Sequence, residues 1–315
     1  MSEIISVVVP VYNNQPTLDE TCRQIMEVHE SSFNEMELEV IFVNDGSTDG
    51  SWNELLRLKS LHEQRISLIN LSRNFGQVAA WFAGFNNASG DAVICVSADL
   101  QDPISLMAKM VACWKHDTEI VICFRENRTD GLLARKFSHL AYSLARTSYP
   151  ELPKGGFDYW LMSRRICQML CSFKGRHNFP QGYLLSLGFS KAFIPYTRMK
   201  RPTGKSGYSF GQKFKIVIDF LVDSSLPIRI MSLTGVFCSM GGVVYSLLIT
   251  YAWFMHQTPF SGWAPLMVIT MMIGGMIMIM LGVIGEYIWR IYDNLKDFPL
   301  YIIETTSMAR PDDPE

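Results

Sequence analysis

The chain has 315 residues, a formal net charge of −2, 48% hydrophobic residues and seven cysteines. That length allows a full α/β domain with further segments beside it. The nearly neutral charge gives no support for nucleic acid as a partner, because surfaces that bind nucleic acid need a marked excess of Lys and Arg. The cysteines form no CxxC pair and no Cys/His cluster, which argues against the common zinc modules and indicates reduced thiols in the cytosol.

Short apolar runs alternate with helical patterns over the first 125 residues. This alternation predicts a mainly parallel sheet that is covered by helices on both faces. The predicted strands cover 4–11, 39–44, 66–71, 92–96 and 119–124. The predicted helices between them cover 16–28, 50–63, 76–87 and 103–114, and a helix at 132–147 and a strand at 157–162 follow.

Two of the predicted strands end in an acidic turn. Asp45 follows the second strand, and Asp99 follows the fourth. Open α/β sheets bind ligands at the carboxyl ends of their strands, so both acids are expected at a ligand site. Asp99 and Gln101 offer the hard oxygen ligands that Mg²⁺ and Mn²⁺ prefer, whereas Asp45 is better placed to accept a hydrogen bond from a nucleotide base. Asp102 precedes a proline, and this position favours a role as a helix cap.

The last third of the chain contains two long uncharged stretches. No charged residue occurs from Ile230 to Phe254 or from Trp263 to Ile284, and each stretch exceeds the ~20 residues that cross a hydrocarbon core. We therefore predict two transmembrane helices. Lys and Arg flank the pair and are missing from the connector 256–262, so the positive-inside rule places both termini in the cytoplasm. A very apolar soluble hairpin is the alternative, and the pair Gly274-Gly275 leaves a homo-oligomer open.

An apolar pattern at helical spacing lies just before the first uncharged stretch, over 209–227. It predicts an amphipathic helix on the membrane surface, with an ordinary helix packed on the soluble domain as the alternative. Basic residues also cluster at 125–136 and 200–205. Arg and Lys on loops that face a membrane suggest a phosphate headgroup as partner, and a solvated run of charge is the alternative.

Several motifs resemble those of the polyisoprenyl-phosphate glycosyltransferases, a family that includes bactoprenol glucosyltransferases and dolichol-phosphate mannose synthases. The matching stretches are Val9-Pro10-Val11-Tyr12-Asn13, Asn44-Asp45-Gly46-Ser47-Thr48-Asp49, Ser72-Arg73-Asn74-Phe75-Gly76-Gln77, Ala98-Asp99-Leu100-Gln101-Asp102-Pro103, Arg125 to Arg128 with Arg135, and Gly204-Lys205-Ser206-Gly207-Tyr208. The segment from Leu281 to Tyr292 is also similar to the ending of two-span members. The resemblance covers nearly the whole chain. Its motifs are specific for the family but carry little information about which sugar is transferred.

This resemblance implies a GT-A fold, Rossmann-like with a mainly parallel sheet, over residues 1–208. The amphipathic helix at 209–227, two transmembrane helices within 228–292 and a cytoplasmic tail at 293–315 would follow. It implies a multi-pass enzyme of the bacterial inner membrane whose cytoplasmic site takes a nucleotide sugar, most simply UDP-linked, and a polyprenyl phosphate. A divalent metal, Mg²⁺ or Mn²⁺, is the implied cofactor.

The resemblance also assigns roles to individual residues. Asp158 is the candidate catalytic carboxylate, because relatives read Gly-Asp-Phe-Arg-Leu-Met-Ser-Arg where this chain has Phe157 to Arg164. The metal is assigned to Asp99 and Gln101. The nucleotide sugar is assigned to Pro10, Tyr12, Asp45, Gly76, Gln77 and Asp99. The lipid phosphate is assigned to Arg128, Arg135, Arg201, Lys205 and Ser206.

Four residues depart from the family pattern. Ser97 replaces the first acid of Asp-Ala-Asp, Asn14 replaces a Glu, Trp160 replaces an Arg, and Gln181 stands where an Arg often precedes Gly. Loss of one carboxylate should weaken metal binding, although Asp99 and the diphosphate could still hold the ion. The resemblance favours inverting transfer of glucose from UDP-glucose to undecaprenyl phosphate. Transfer of an amino sugar, a deoxy sugar or mannose from GDP-mannose is one alternative, and a catalytically weakened membrane scaffold is another.

Overall fold

The computed structural model describes residues 3–126, 146, 149–153, 156–172, 179–197, 264–295 and 298–308, with isolated positions between 233 and 255. The chain divides into two compact units. One unit comprises Met1–Tyr208 together with Asp297–Glu315, and the other comprises Ser209–Lys296.

The first unit is built on an eight-stranded sheet with the order β7-β5-β6-β4-β1-β2-β3-β8. The strands are β1 (Ile4–Val11), β2 (Glu37–Asn44), β3 (Ile66–Leu71), β4 (Ala92–Cys95), β5 (Ile120–Arg125), β6 (Tyr159–Ser163), β7 (Lys191–Tyr196) and β8 (Ile303–Ser307). β6 and β8 run antiparallel to their neighbours, and all other pairs are parallel. The prediction of a mainly parallel sheet is therefore confirmed.

Helices cover both faces of this sheet. In the first unit they are α1 (Gln15–Ser32), α2 (Ser51–Leu61), α3 (Gln77–Asn87), α4 (Leu106–Lys115), α5 (Arg164–Ser172) and α6 (Pro180–Ser186). Apolar side chains of α1, α2 and α4 form a core with Val7 and Val9 of β1. Side chains alternate along a strand, so Val8 points to the other face, where it meets α3. A Cβ atom at Gly84 would lie 2.2 Å from Val8 Cγ1, which is why glycine occupies this position in α3.

The structure corrects one prediction about the helix after β4. This helix, α4, begins at Leu106 with Ser105 at its N-cap position, and does not begin at Pro103. Asp102 is buried, and its carboxylate accepts a hydrogen bond from Tyr196 OH at 2.5 Å. The residue that the sequence favours as a helix cap thus contacts a distant strand.

Several predicted elements lie outside the described residues. These are most of the helix predicted at 132–147, the amphipathic helix at 209–227 and most of the first uncharged stretch, 230–254. Sequence analysis also missed four elements, which are α5, α6, β7 and β8. Of these, β8 falls in the segment predicted to be a tail.

The second unit contains the helix α7 (Ala264–Leu295), which has 32 residues and begins within the second uncharged stretch. Large apolar side chains on α7, among them Leu266, Met278 and Ile288, are exposed. Across the parts of the chain that are described, no helix meets the combined requirement of length and apolarity for crossing a membrane.

Candidate functional site

Three parallel strands deliver candidate residues to the same edge of the sheet. β1 pairs with β2 and with β4, so that Val11 lies opposite Asn44 and Val8 lies opposite Cys95. The carboxyl ends of these strands therefore point the same way, and the residues that follow them emerge side by side. These residues are Tyr12 after β1, Asp45 after β2 and Asp99 after β4.

The loops that follow β1 and β2 are locked together by hydrogen bonds. The Asn13 amide donates to Ser47 Oγ at 3.0 Å, and Asn13 Oδ1 accepts from the Thr48 amide at 2.8 Å. Asn13 adopts a φ of 54°, in the left-handed region that Asn tolerates better than most residues. Beside this lock the Tyr12 side chain is 48% exposed, so its ring is accessible to a planar ligand.

Asp45 holds a third loop, residues 72–76, against the other two. Its Oδ1 accepts from the Phe75 amide at 2.7 Å, and its Oδ2 accepts from the Gly76 amide at 3.0 Å. Burial raises the pKa of Asp45 above its ordinary value, although these two amides and the Arg73 charge act in the opposite direction. Each carboxylate oxygen has a further lone pair with which it can accept a hydrogen bond from a ligand.

Gly46 is required where the loops after β2 and β3 meet. Its φ is +63°, and a Cβ atom there would lie 2.5 Å from the carbonyl carbon of Arg73 and from the backbone nitrogen of Asn74. A larger residue would force apart the two loops that Asp45 joins. Glycine is therefore required after Asn44-Asp45 for two reasons: the turn needs a positive φ, and the backbones of the two loops approach closely at this position.

Asp99 follows β4 in a tight and strained turn. Its Oδ1 accepts from Ser97 Oγ at 3.0 Å and from the Gln101 amide at 3.1 Å, and the residue is 6% exposed. Leu100, between Asp99 and Gln101, has a φ of 56°, which is uncommon for a residue other than glycine. Thr17 of α1 anchors the turn by donating its hydroxyl to the Ala98 carbonyl at 2.6 Å.

This turn by itself supplies few ligands for a metal ion. Among the described residues, no group of three or more His, Cys, Asp or Glu side chains is arranged to hold a metal ion. Asp99, Gln101 and the Ser97 hydroxyl supply hard oxygen atoms, but only one of them is a carboxylate. Such a set suits Mg²⁺ or Mn²⁺ where substrate phosphates and waters provide most of the remaining ligands.

Asp158 lies directly before β6, which runs between β4 and β5. Arg125, the last residue of β5, donates to its Oδ2 at 3.0 Å, and Gln181 Nε2 donates to its Oδ1 at 3.3 Å. Each oxygen of the carboxylate is thus held by a donor from a different element. The side chain is 38% exposed, so the carboxylate remains accessible from one side.

Arg125 is a buried cation between acidic partners. Its Nη2 atom lies 3.9 Å from Asp102 Oδ1, its Nε donates to Tyr196 OH at 3.3 Å, and its side chain is 9% exposed. Burial by itself lowers the pKa of Arg125, but the charges of Asp158 and Asp102 outweigh burial and raise the pKa overall. The Asp102, Tyr196 and Asp158 contacts therefore fix both the charge and the orientation of this guanidinium.

Sequence analysis gave Arg125 no role, and it missed Tyr196. One signal was available for Arg125, because it ends an apolar strand in the same way that acids follow β2 and β4. No local signal could have linked Tyr196 to Asp102, since the two residues lie 94 positions apart in the chain.

Three of the departures from the family pattern have a structural role. Trp160 is buried and packs edge-on against Trp81 with ring centroids 4.8 Å apart, so this position belongs to the core of this chain. Gln181 holds Asp158, as described above. Asn14 Oδ1 accepts from the Tyr12 amide at 3.0 Å, which shapes the loop that presents the tyrosine ring.

The remaining predicted residues divide into two groups. Pro10 lies in β1 opposite Val43, Gly76 precedes α3 with a φ of 99°, and Gln77 begins α3. The structure thus brings the predicted nucleotide-sugar residues to the same edge of the sheet as Asp99 and Asp158. The predicted lipid-phosphate residues lie outside the described part of the chain: Arg128, Arg135, Arg201, Lys205 and Ser206.

Comparison with known proteins identifies the family. Residues 6–171 match the family described as Glycosyl transferase family 2. The chain is 35% identical over 302 residues to an uncharacterized glycosyltransferase, YkcC, of Bacillus subtilis, a match that covers 95% of this chain and 93% of the relative. It is 31% identical over 313 residues to the SfII prophage-derived bactoprenol glucosyl transferase of Shigella flexneri. This match covers 98% of this chain and 99% of the relative.

Among solved structures, the chain is similar to mannosyl-3-phosphoglycerate synthase from Rubrobacter xylanophilus. The TM-score is 0.53 at 14% identity, and the match covers 72% of this chain and 75% of the other. This likeness shows a shared GT-A fold. The family match and the extent of the sequence identity go further: the chain belongs to glycosyl transferase family 2 and, within it, to the polyprenyl-phosphate glycosyltransferases, and it is a hexosyltransferase.

Proposed function

We propose that the protein transfers glucose from UDP-glucose to undecaprenyl phosphate at the cytoplasmic face of a bacterial inner membrane. The arrangement that carries the proposal is the row of Asp45, Asp99 and Asp158 at one edge of the sheet, each held by backbone or side-chain donors. Relatives named as bactoprenol glucosyl transferases support glucose and a bactoprenol acceptor.

The donor nucleotide is assigned to the three interlocked loops after β1, β2 and β3. The exposed Tyr12 ring offers a stacking surface for a base, and the Asp45 carboxylate can accept a hydrogen bond from the imino group of uracil. Pro10, Gly76 and Gln77 border the same loops. These features favour a uridine nucleotide as the donor.

The diphosphate of the donor is assigned to the turn of Asp99 and Gln101. Together with the Ser97 hydroxyl, these residues would hold a divalent ion that neutralises the departing diphosphate. The strained φ of Leu100 supports a functional role for this turn, because such backbone strain is concentrated at sites of function.

The reaction is a single displacement at the anomeric carbon. A phosphate monoester has a second pKa of about 6, so the lipid phosphate is largely ionised at neutral pH and can attack without a strong base. One of its oxygens forms the new bond to the anomeric carbon while the bond from that carbon to the UDP oxygen breaks, and the electron pair leaves with UDP. Attack from the side opposite the leaving group inverts the configuration.

Asp158 orients the acceptor phosphate and takes its residual proton when the monoanion binds. The two donors that hold its oxygens fix the direction of the carboxylate, which is the geometric requirement for a positioned base. The assigned lipid-phosphate residues, Arg128, Arg135, Arg201, Lys205 and Ser206, would supply the positive charge that the acceptor needs.

A membrane location follows from the acceptor and from the sequence. Undecaprenyl phosphate is a lipid, and the two uncharged stretches are long enough to cross a bilayer. The exposed apolar side chains of α7 also fit a lipid environment. We infer that both termini face the cytoplasm, with the connector 256–262 outside.

A panel of donors tests the proposed function directly. The purified full chain, supplied with Mg²⁺ or Mn²⁺, is expected to release UDP from UDP-glucose only when undecaprenyl phosphate is added. UDP-N-acetylglucosamine, UDP-galactose and GDP-mannose should release far less nucleotide under the same conditions. Preference for another donor would replace glucose in the proposal, and release that is independent of the lipid would exclude the acceptor.

The metal assignment predicts opposite effects of two substitutions in one turn. Asp99→Asn should abolish activity, because it removes the only carboxylate assigned to the ion. Ser97→Asp should tighten the apparent affinity for Mg²⁺ or Mn²⁺, which calorimetry of metal-dependent UDP binding measures without turnover. Ser97→Ala serves as the control for loss of the hydroxyl, and the same metal dependence in all of these variants would place the ion elsewhere.

The contacts of Asp158 predict graded losses of turnover. Asp158→Asn should lower kcat strongly while UDP-glucose binding stays near normal, the pattern of an interaction made in the transition state. Gln181→Ala removes one hydrogen bond to an ionised carboxylate, worth about 1.5 kcal/mol, so kcat should fall about 10-fold. Ser186→Ala in the same helix is the control, since its hydroxyl bonds to the Gly182 carbonyl. A Gln181→Ala effect confined to donor binding would contradict the role of this side chain.

The raised pKa of Asp45 predicts that donor affinity depends on pH. The ionised carboxylate accepts a hydrogen bond from the base, so UDP binding should weaken as the pH falls and the carboxylate becomes protonated. Because burial raises this pKa, the weakening should begin at a higher pH than for an exposed aspartate. Asp45→Asn should bind UDP more weakly at neutral pH, and the difference from the original protein should shrink as the pH falls. Titration of UDP itself contributes equally to both proteins, so identical pH profiles would show that Asp45 does not accept from the base.

A further inference from the structure

The C-terminal strand β8 lies beside the loops assigned to the donor. It pairs with β3, so that Asn70 lies opposite Thr305 and Leu71 lies opposite Ile303. The Ser72 amide then donates to the Ile302 carbonyl at 3.0 Å. The C-terminal segment thus holds the start of loop 72–76, whose amides bind Asp45.

A chain of side-chain hydrogen bonds connects β8 to the turn after β2. Asn70 Nδ2 donates to Glu304 Oε2 at 2.9 Å, and Asn44 Nδ2 donates to Asn70 Oδ1 at 2.7 Å. At the far end, Asn44 Oδ1 accepts from the Ser47 amide at 3.3 Å. The chain therefore reaches the turn that contains Asp45 and Gly46.

The direction of this series of hydrogen bonds is set at both ends, because the Ser47 amide at the far end can only donate. A carboxylate only accepts hydrogen bonds, so Glu304 requires that Asn70 present its NH₂ group. Asn70 then presents its oxygen to Asn44, which in turn presents its own oxygen to the Ser47 amide. A donor at position 304 would reverse both asparagine side chains and leave the Asn44 NH₂ group against the Ser47 N–H.

The C-terminal segment is also held on both sides of Glu304. Tyr301 OH accepts from Asn86 Nδ2 of α3 at 3.0 Å. Lys59 of α2 donates its Nζ to the Met308 carbonyl at 2.8 Å and to the Ile66 carbonyl at 2.7 Å. Glu304 is thus carried by a segment with fixed ends, which allows its charge to orient Asn70.

We propose that Glu304 and Asn70 are positioning residues for the donor site. They fix the orientation of the Asn44 side chain and, through it, the turn of Asp45 to Ser47. This inference rests on the proposed function, because it takes that turn to bind the nucleotide. It assigns a role in substrate binding to a segment that lies 234 positions from Asn70 in the chain.

Substitutions at position 304 test the direction in which the side-chain hydrogen bonds from Glu304 to Ser47 run. Glu304→Gln keeps an acceptor oxygen and should leave the Kd for UDP within about 2-fold of the original protein. Glu304→Lys supplies only donors, and Asn70→Ala removes the link between Glu304 and Asn44. Each substitution should therefore raise the Kd for UDP about 5-fold or more. Thr306→Ala, at an exposed position in the same strand, is the matched control. Calorimetry of the full chain with UDP and Mn²⁺ gives the Kd values, and kcat at saturating donor should stay near normal.

If Glu304→Lys lowers the melting temperature, a second pair of substitutions separates loss of stability from loss of the hydrogen bond. Asn70→Asp keeps an acceptor for Asn44 but places a carboxylate against Glu304, so repulsion between the two acids should displace side chain 70 and weaken UDP binding. Adding Glu304→Gln supplies a donor to that carboxylate and should restore the affinity, which a general loss of stability would not do. The inference is overturned if Glu304→Lys folds and binds UDP like the original protein, or if the second substitution restores nothing. Failure of the original protein to bind UDP would instead refute the proposed donor.

Discussion

The parallel pairing of β1 with both β2 and β4 is the constraint on which the site depends. It brings the loops after three strands to one edge, although the residues in them are far apart in the sequence. β6 then enters between β4 and β5 in the opposite direction, so Asp158 comes from the start of a strand while its neighbours come from strand ends. Paired strands therefore position the site from the side of the sheet, and hydrogen bonds join the loops that complete it.

Charge balance distinguishes the two halves of this edge. Around Asp45 the carboxylate is bound by backbone amides, whereas Asp158 and Asp102 share the buried cation of Arg125. A buried charge is tolerated only where partners offset the loss of hydration, and Arg125 meets this condition with two acids and a phenol. The half around Arg125 is thus a network of charges in which a change at one residue alters the others. The half around Asp45 depends mainly on backbone amides, and therefore on the conformation of the loops that supply them.

Much of the fold was readable from the sequence, because parallel strands buried on both faces appear as apolar runs. The strand at 66–71 has the predicted bounds, Asp45 directly follows β2, and Asp99 lies in the turn after β4. What could not be read depends on distant contacts. Asp102 precedes a proline, as a helix cap does, yet it bonds to Tyr196, and β8 carries no strong apolar pattern because it lies at an edge with most of its side chains exposed.

The position of β8 has a consequence for the order in which the enzyme is completed during synthesis. Asn70 and Glu304 are 234 positions apart, so β3 emerges from the ribosome well before the strand that borders it. At about 5–20 residues per second this delay is on the order of 10–50 s. During that time the nascent chain has an open sheet edge at β3, next to the loop 72–76. The sheet is therefore completed on this side only after translation has passed residue 307.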